Sequence, residues 1–267
     1  MHRRGAIVGI IMWRLVAGAA EARDLADIRK DGVLRVLVVP DVRVREFVDL
    51  DSKARPGFDI EILQGFARAH KLELKPISLS GWDKLVPALI KEEGDVIAGC
   101  FTDTDARRRH IQFTHPVFPT GTVVVTRKPH RVVNTLEELR EEKVGTIRGT
   151  SMEDALAAAG LKGKLDYTVL EQKDLSAALR SRDLTAVAWG LEGAIAAANH
   201  DPDLQVGMSL GPPTALAYGV RKEDTELVAA LNAQLAILRK TGVWQRLVVR
   251  YLGTSAPRIL KGTGDTP

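Results

Sequence analysis

The run Gly32-Val33-Leu34-Arg35-Val36-Leu37-Val38-Val39-Pro40 is short, rich in β-branched residues and bounded by turn formers. Its length and flanks predict a buried strand. The next four segments of the chain set the fold class. Ile60 to Ala67 spaces its apolar residues helically, Leu72 to Ile77 alternates as a strand, Trp82 to Lys91 places Leu85, Leu89 and Ile90 on one helix face, and Asp95 to Gly99 is the next strand. Strand-helix-strand-helix-strand demands crossovers and a mainly parallel sheet, so this is an α/β unit.

The pattern then restarts. Thr122 to Thr126 reads as a strand closing the first unit, and Lys128-Pro129-His130 as a linker. Beyond it, helices over Leu136–Arg140, Ser151–Ala159 and Leu175–Ser181 alternate with strands over Lys143–Ile147, Tyr167–Leu170 and Ala186–Trp189. Leu216 to Val220 reads as a strand starting after Gly211-Pro212-Pro213, followed by an amphipathic helix over Glu226–Lys240. The expected organisation is a first lobe from 31–126 and 216–253, a second lobe from 127–215, and a flexible tail over 254–267. Two crossing segments join the lobes, and the natural ligand site is the cleft between them.

Composition narrows the function. The 267 residues are 45% hydrophobic and 27% charged, enough apolar material for a large core. The formal charge of +4 is spread over interleaved cations and anions, so no basic stripe for nucleic acid emerges. Cys100 is the single cysteine, which excludes an internal disulfide and a cysteine-based metal site. Residues 1–22 join two arginines, an apolar stretch and Ala20-x-Ala22, the pattern of a cleavable secretion signal, so the expected location is periplasmic or secreted. No other segment approaches the ~18 apolar residues that span a bilayer.

Enzyme motifs are sparse. Gly207-Met208-Ser209-Leu210-Gly211 has the spacing of a nucleophile elbow, yet Gly-Pro-Pro occupies the place where a helix must start, and no histidine lies downstream. The histidines at 2, 70, 110, 115, 130 and 200 show no metal-ligand spacing, and no nucleotide-binding glycine motif occurs. No cofactor, metal or catalytic residue is expected. More telling is Gly149-Thr150-Ser151-Met152-Glu153-Asp154, between a strand and a helix. Thr150 or Ser151 can act as the helix N-cap, with Glu153 or Asp154 completing a capping box, and the outward-pointing amides there suit a carboxylate or phosphate. Finally, Phe101 to Pro116 carries Arg107-Arg108-Arg109-His110, either a solvated helix face or one arginine aimed into the cleft.

These pieces resemble the solute-binding proteins of family 3 over residues 32 to 253. The carriers are Gly57-Phe58-Asp59-Ile60-Glu61, Trp82 to Leu89, Gly94 to Ala98, Phe101 to Arg107 running to Phe113-Thr114-His115-Pro116, Gly149-Thr150-Ser151, and Gly242-Val243-Trp244. The resemblance implies a two-lobed periplasmic-binding-protein fold of type II. It also implies a monomer that captures a small carboxylate-bearing solute for an ABC permease. In that family the arginine corresponding to Arg107 grips the ligand carboxylate, which leaves Arg108, Arg109 and His110 on the surface. Thr102 and the backbone near Cys100 would join it, Trp82 would stack on the ligand, and Gly149, Thr150 and Ser151 would close from the second lobe.

Two departures bear on the ligand. The family's second-lobe strand ends in an aspartate that pairs with the ligand ammonium, and here Thr185-Ala186-Val187-Ala188-Trp189-Gly190 puts Gly190 in its place. Either Glu192, just beyond Trp189, supplies the charge, or the ligand is not an ordinary α-amino acid. At the exit of the first strand, Asp41 and Arg43 stand where an aromatic is common and are candidate pocket residues. Two other readings use the same resemblance. Leu85 to Leu89 followed by Glu93 to Ala98 is similar to the regulatory module of lytic transglycosylase F, which suggests a sensor of cell-wall peptides, with Ser255 to Pro267 only a polar tail. Cyclohexadienyl dehydratases share the fold, and Glu192 is then the candidate general acid.

Overall fold

The computed structural model describes residues 23–40, 45–160, 168–170, 175–254 and 256. The expected signal segment 1–22, the pocket candidates Asp41 and Arg43, and nearly all of the expected tail lie outside the described residues.

The chain starts with helix α1 (Leu25–Asp31) and strand β1 (Val33–Val38), followed by α2 (Phe58–Ala69) and β2 (Glu73–Ser78). A 3-10 turn over Trp82–Lys84 leads into α3 (Leu85–Ile90), and then come β3 (Val96–Ile97), α4 (Asp105–Arg108) and β4 (Gln112–Phe113). The first sheet is completed from the far end of the chain by β10 (Gly219–Val220), in the order β2-β1-β3-β10-β4. β1 runs parallel to both β2 and β3, as crossover helices require, whereas β10 is antiparallel to β3 and β4. Behind this sheet, α2, α9 (Thr225–Lys240) and α10 (Val243–Leu252) enclose a core of Phe47, Phe58, Phe118 and Trp244 set edge to face or tilted.

The second sheet has the order β7-β6-β8-β5-β9. It comprises β5 (Phe118–Arg127), β6 (Val144–Ile147), β7 (Thr168–Leu170), β8 (Ala186–Gly190) and β9 (Leu204–Leu216), with α5 (Leu136–Leu139), α6 (Ser151–Ala158), α7 (Leu175–Ser181) and α8 (Leu191–His200) between them. β6 is parallel to β7 and β8, and β5 is antiparallel to β8 and β9.

Three strand assignments change. Thr122–Thr126, read as closing the first unit, pairs with β8 and β9 and so belongs to the second sheet. A local pattern identifies a strand but not its partners. Gly211-Pro212-Pro213, read as a break, lies inside β9. β9 is an edge strand, and its pairing with β5 shifts register between Thr120↔Thr214 and Thr122↔Leu210, so residues 211–213 have no ladder partner and the prolines cost no ladder bond. Leu216–Val220, read as one strand, is divided: Leu216 pairs with Phe118 of β5, while Gly219 pairs with Ile97 and Phe113. β5 and β9 are therefore the two segments that leave one sheet and enter the other.

Candidate functional site

The cleft wall on the first-sheet side is built by the segment that leaves β3. Gly99 and Cys100 both take left-handed backbone, with φ of 90° and 56°, and this sharp turn carries Phe101 and Thr102 onward. Thr104 then caps α4, its hydroxyl accepting from the Arg107 amide at 3.3 Å. The cap fixes which way Arg107 points. Its Nη1 donates to the Thr102 carbonyl at 2.6 Å and its Nη2 to the Gly149 carbonyl at 3.2 Å, while Cζ stands 4.1 Å from the centre of the Phe101 ring. Arg108, Arg109 and His110 are exposed, and Arg108 pairs with Asp103. One cation of the run is turned inward and three face solvent.

From the second-sheet side comes the Gly149 loop. Gly149 has φ of 71°, and a Cβ there would stand 2.7 Å from the Asp83 amide nitrogen and 2.9 Å from its Cα. Both the backbone conformation and the close approach require glycine. The expected capping arrangement differs in detail. Glu153 accepts from the Gly149 amide at 2.8 Å, and the Thr150 hydroxyl donates to the Ile147 carbonyl at 2.6 Å rather than serving the helix. That leaves Ser151 to reach across the cleft, donating to the Thr102 hydroxyl at 2.9 Å.

Between these walls lies a cavity open to solvent at its mouth. Trp82, Cys100, Thr102 and Arg107 line it from one side, and Thr150, Ser151, Trp189 and Glu192 from the other. The sequence-predicted residues are thus brought together, except for Gly149 and for Asp41 and Arg43, which both lie outside the described residues. Gly149 contributes its carbonyl to Arg107 rather than a surface to the cavity. Ile147, Met152 and Gly193 also line the space and were not anticipated, and Gly190, the position the sequence singled out, lines it too. The first two sit at a strand's C-terminal end and a helix's first turn, where α/β ligand sites form, so position alone could have flagged them.

Electrostatically the cavity holds one cation and one acid, both under-compensated. Burial lowers the Arg107 guanidinium to about 10, opposed by the charges of Asp154 and Asp103. Burial raises Glu192, opposed chiefly by the hydroxyl of Thr120, which donates to its carboxylate. Glu192 lies in the first turn of α8, and a Cβ on Gly190 would collide with its Oε1. The glutamate carboxyl therefore occupies the room that a side chain at position 190 would need. Thr120 could not have been found from sequence, since its partner lies far along the chain and in another element. Behind the first wall, Asp59 is a further buried acid that the sequence motif contained without a role.

Among the described residues, no group of three or more His, Cys, Asp or Glu side chains is placed to hold a metal ion. Among the same residues, no helix is long and apolar enough to cross a membrane.

The protein is similar to the probable histidine-binding protein of Neisseria gonorrhoeae, at 25% identity over 80% of this chain and 82% of that one. It is equally similar to the lysine/arginine/ornithine-binding periplasmic protein of Escherichia coli, at 25% identity over 81% and 86%. Membrane-bound lytic murein transglycosylase F of Pseudomonas fluorescens matches at 26% identity over 92% of this chain, which spans about half (51%) of that relative's length. Among solved structures, the arginine-bound form of truncated ArgBP from T. maritima superposes with a TM-score of 0.72 at 28% identity, covering 80% of this chain and all (100%) of that one. The structural neighbours are type II periplasmic binding proteins, and the α/β architecture of two mixed sheets flanked by helices is theirs. Residues 34–254 match the Bacterial extracellular solute-binding proteins, family 3, and the chain belongs to that family.

Proposed function

We propose that this protein is an extracytoplasmic receptor for a free α-amino acid, which it encloses between its two lobes and presents to an ABC permease. Arg107 takes the carboxylate and Glu192 the ammonium. The observation that carries this reading is the pair of opposite displacements in one cavity. A cation pushed toward neutrality needs an anion, and an acid pushed toward neutrality needs a cation. A zwitterion supplies both at once. The carbonyl oxygens that now accept from Arg107 are weaker partners than a carboxylate, which the planar guanidinium can hold through two parallel hydrogen bonds. Glu192 takes over from the family's aspartate because it fills the volume beside Gly190. Ile147, Met152, Trp82 and Trp189 leave an apolar and aromatic lining for the ligand's side chain.

Closure needs only the contacts already described across the cleft. Arg107 to Gly149 and Ser151 to Thr102 join the two sides, and a solute held between them would favour the closed arrangement. Thermal shift against the common amino acids, led by L-arginine, L-lysine and L-histidine, tests the reading. A ligand at one hundred times its Kd stabilises by about 2.7 kcal/mol. The deaminated and decarboxylated analogues of the best amino acid should each lose most of that shift. A panel in which no amino acid raises the melting temperature overturns it.

A dehydratase-like activity is the second reading, favoured by one observation: Glu192 is a buried carboxyl raised toward the protonated form and facing the cavity. A protonated acid so placed can donate to a departing hydroxyl. Incubation with a cyclohexadienyl hydroxy acid distinguishes the two, since the enzyme consumes its ligand and the receptor returns it unchanged.

A further inference from the structure

Asp59 lies in the first turn of α2 and does not reach the cavity, yet it is one of the most completely buried acids of the chain. One carboxylate oxygen, Oδ2, accepts from the amides of Gly99 at 3.0 Å and Cys100 at 3.3 Å. The other, Oδ1, accepts from the Tyr218 hydroxyl at 3.1 Å. These partners come from two different places. Gly99 and Cys100 form the left-handed turn that starts the cavity wall, and Tyr218 sits between β9 and β10, on the segment returning from the second sheet to the first.

The turn needs a support. Left-handed backbone is unfavourable for a residue with a Cβ, and Cys100 adopts it directly after Gly99. Two consecutive amides directed at one point form an anion-binding nest, and Asp59 fills it. The rest of the wall depends on that geometry. The Phe101 carbonyl accepts from the Ala217 amide at 3.0 Å, the Phe101 ring lies beneath Arg107, and the Thr102 carbonyl receives the Arg107 guanidinium.

We propose that Asp59 is a positioning residue: its carboxylate, sealed behind the Gly99–Cys100 turn, holds the cavity wall in its binding shape and ties that wall to the Tyr218 segment between the lobes. For its effect on affinity, the inference rests on the amino-acid reading above; for its effect on the loop, it does not. A packing role alone accounts poorly for an acid here, because asparagine fills the same space without a charge to desolvate. The groups that face Asp59 are the two amides, the Tyr218 phenol, and the Glu192 carboxyl acting through space. Burial, the largest influence, raises it to about 6; the hydrogen bonds from Gly99, Tyr218 and Cys100 oppose that rise and Glu192 adds to it. The nest therefore loses its anion in mild acid.

The test uses the ligand-free full chain, labelled for NMR, between pH 8 and 5. The Gly99 and Cys100 amide protons should titrate together with one midpoint near 6. Protonation should also move the Cys100 carbon shifts away from left-handed values. In Asp59→Asn the shared titration vanishes, the Cys100 carbons lose their left-handed signature at pH 8, and the melting temperature at pH 8 is kept or raised. Tyr218→Phe removes one donor from the carboxylate, so the shared midpoint moves upward while the turn persists. In binding at pH 8, with L-arginine as probe, Asp59→Asn should weaken affinity about tenfold. Amides that titrate separately, or a Cys100 that stays left-handed in Asp59→Asn, overturn the inference. So does an Asp59→Asn affinity within twofold of the parent. If L-arginine does not bind the parent protein, the amino acid that raises the melting temperature most replaces it as probe; if none of the common amino acids binds, the amino-acid reading alone fails and the ligand-free titration decides the role of Asp59.

Discussion

Arg107 shows how much one cap decides. Thr104 ends the turn, α4 begins, and of four consecutive basic side chains only the first faces the cavity. Replacing it by lysine keeps the charge but loses the fork that spans two carboxylate oxygens, so Arg107→Lys should weaken amino-acid binding by about 1.5–3 kcal/mol, read by calorimetry. Glu192 makes a different prediction, because burial and a bound ammonium act on it in opposite directions. Burial raises its proton affinity and a ligand ammonium lowers it, so binding should release protons in the pH range where the acid titrates, and affinity should rise with pH across that range. Binding heats measured in buffers of different ionisation enthalpy should differ, and Glu192→Gln should make them equal. Gly190→Asp offers a steric check. Alone it sets its side chain against the Glu192 carboxyl and should destabilise the protein. With Glu192→Ala beside it, the room is restored and ammonium binding should return. Arg107 was legible in the sequence because its motif is local. The role of position 192 was legible only as one of two alternatives, since the place of the Glu192 carboxyl beside Gly190 depends on the fold of β8 and α8.

At the scale of elements, the loop between β6 and α6 limits how closely the walls approach. Gly149→Ala places a Cβ against the Asp83 backbone and costs roughly 1 kcal/mol for the left-handed conformation alone. The clash exists only while the two sides touch. Ligand affinity should therefore fall by more than the loss of unliganded stability, a comparison that calorimetry and thermal melts make together. The elements were legible where periodicity is strong, as in β1, α2 and α9 with its buried Leu227, Leu231, Leu235 and Leu238. They were misread where pairing rather than pattern decides. β9 is a thirteen-residue edge strand carrying two prolines, and its alternation is too irregular to announce itself. β5 read correctly as a strand but not as a member of the second sheet, because its partners β8 and β9 both lie well downstream. β5 thus pairs in the second sheet, not in the first unit that its place in the chain suggested.

The whole molecule bears the cost of its buried acids. Asp59 binds its proton more tightly when folded, at about 6 against 3.8 for an unburied aspartate. Its contribution to stability is therefore complete below 3.8 and is lost as pH rises through about 6. A displacement of about two units corresponds to about 3 kcal/mol between the two limits. Glu192 is raised in the same sense, so a move from neutral to mildly acidic pH is the stabilising direction for both acids. The melting temperature of the ligand-free protein should rise between pH 8 and 5, and Asp59→Asn should flatten that rise.

The central claim is that one cavity holds a zwitterion between Arg107 and Glu192. Isothermal titration of the best amino acid from the panel, of its deaminated analogue and of its carboxamide, against the parent protein and Glu192→Gln, tests it most directly. Both analogues should lose at least tenfold in affinity against the parent. Glu192→Gln should weaken the amino acid while leaving the deaminated analogue nearly unchanged. If the deaminated analogue binds the parent as tightly as the amino acid does, Glu192 holds no ammonium and the zwitterion is not what the cavity selects.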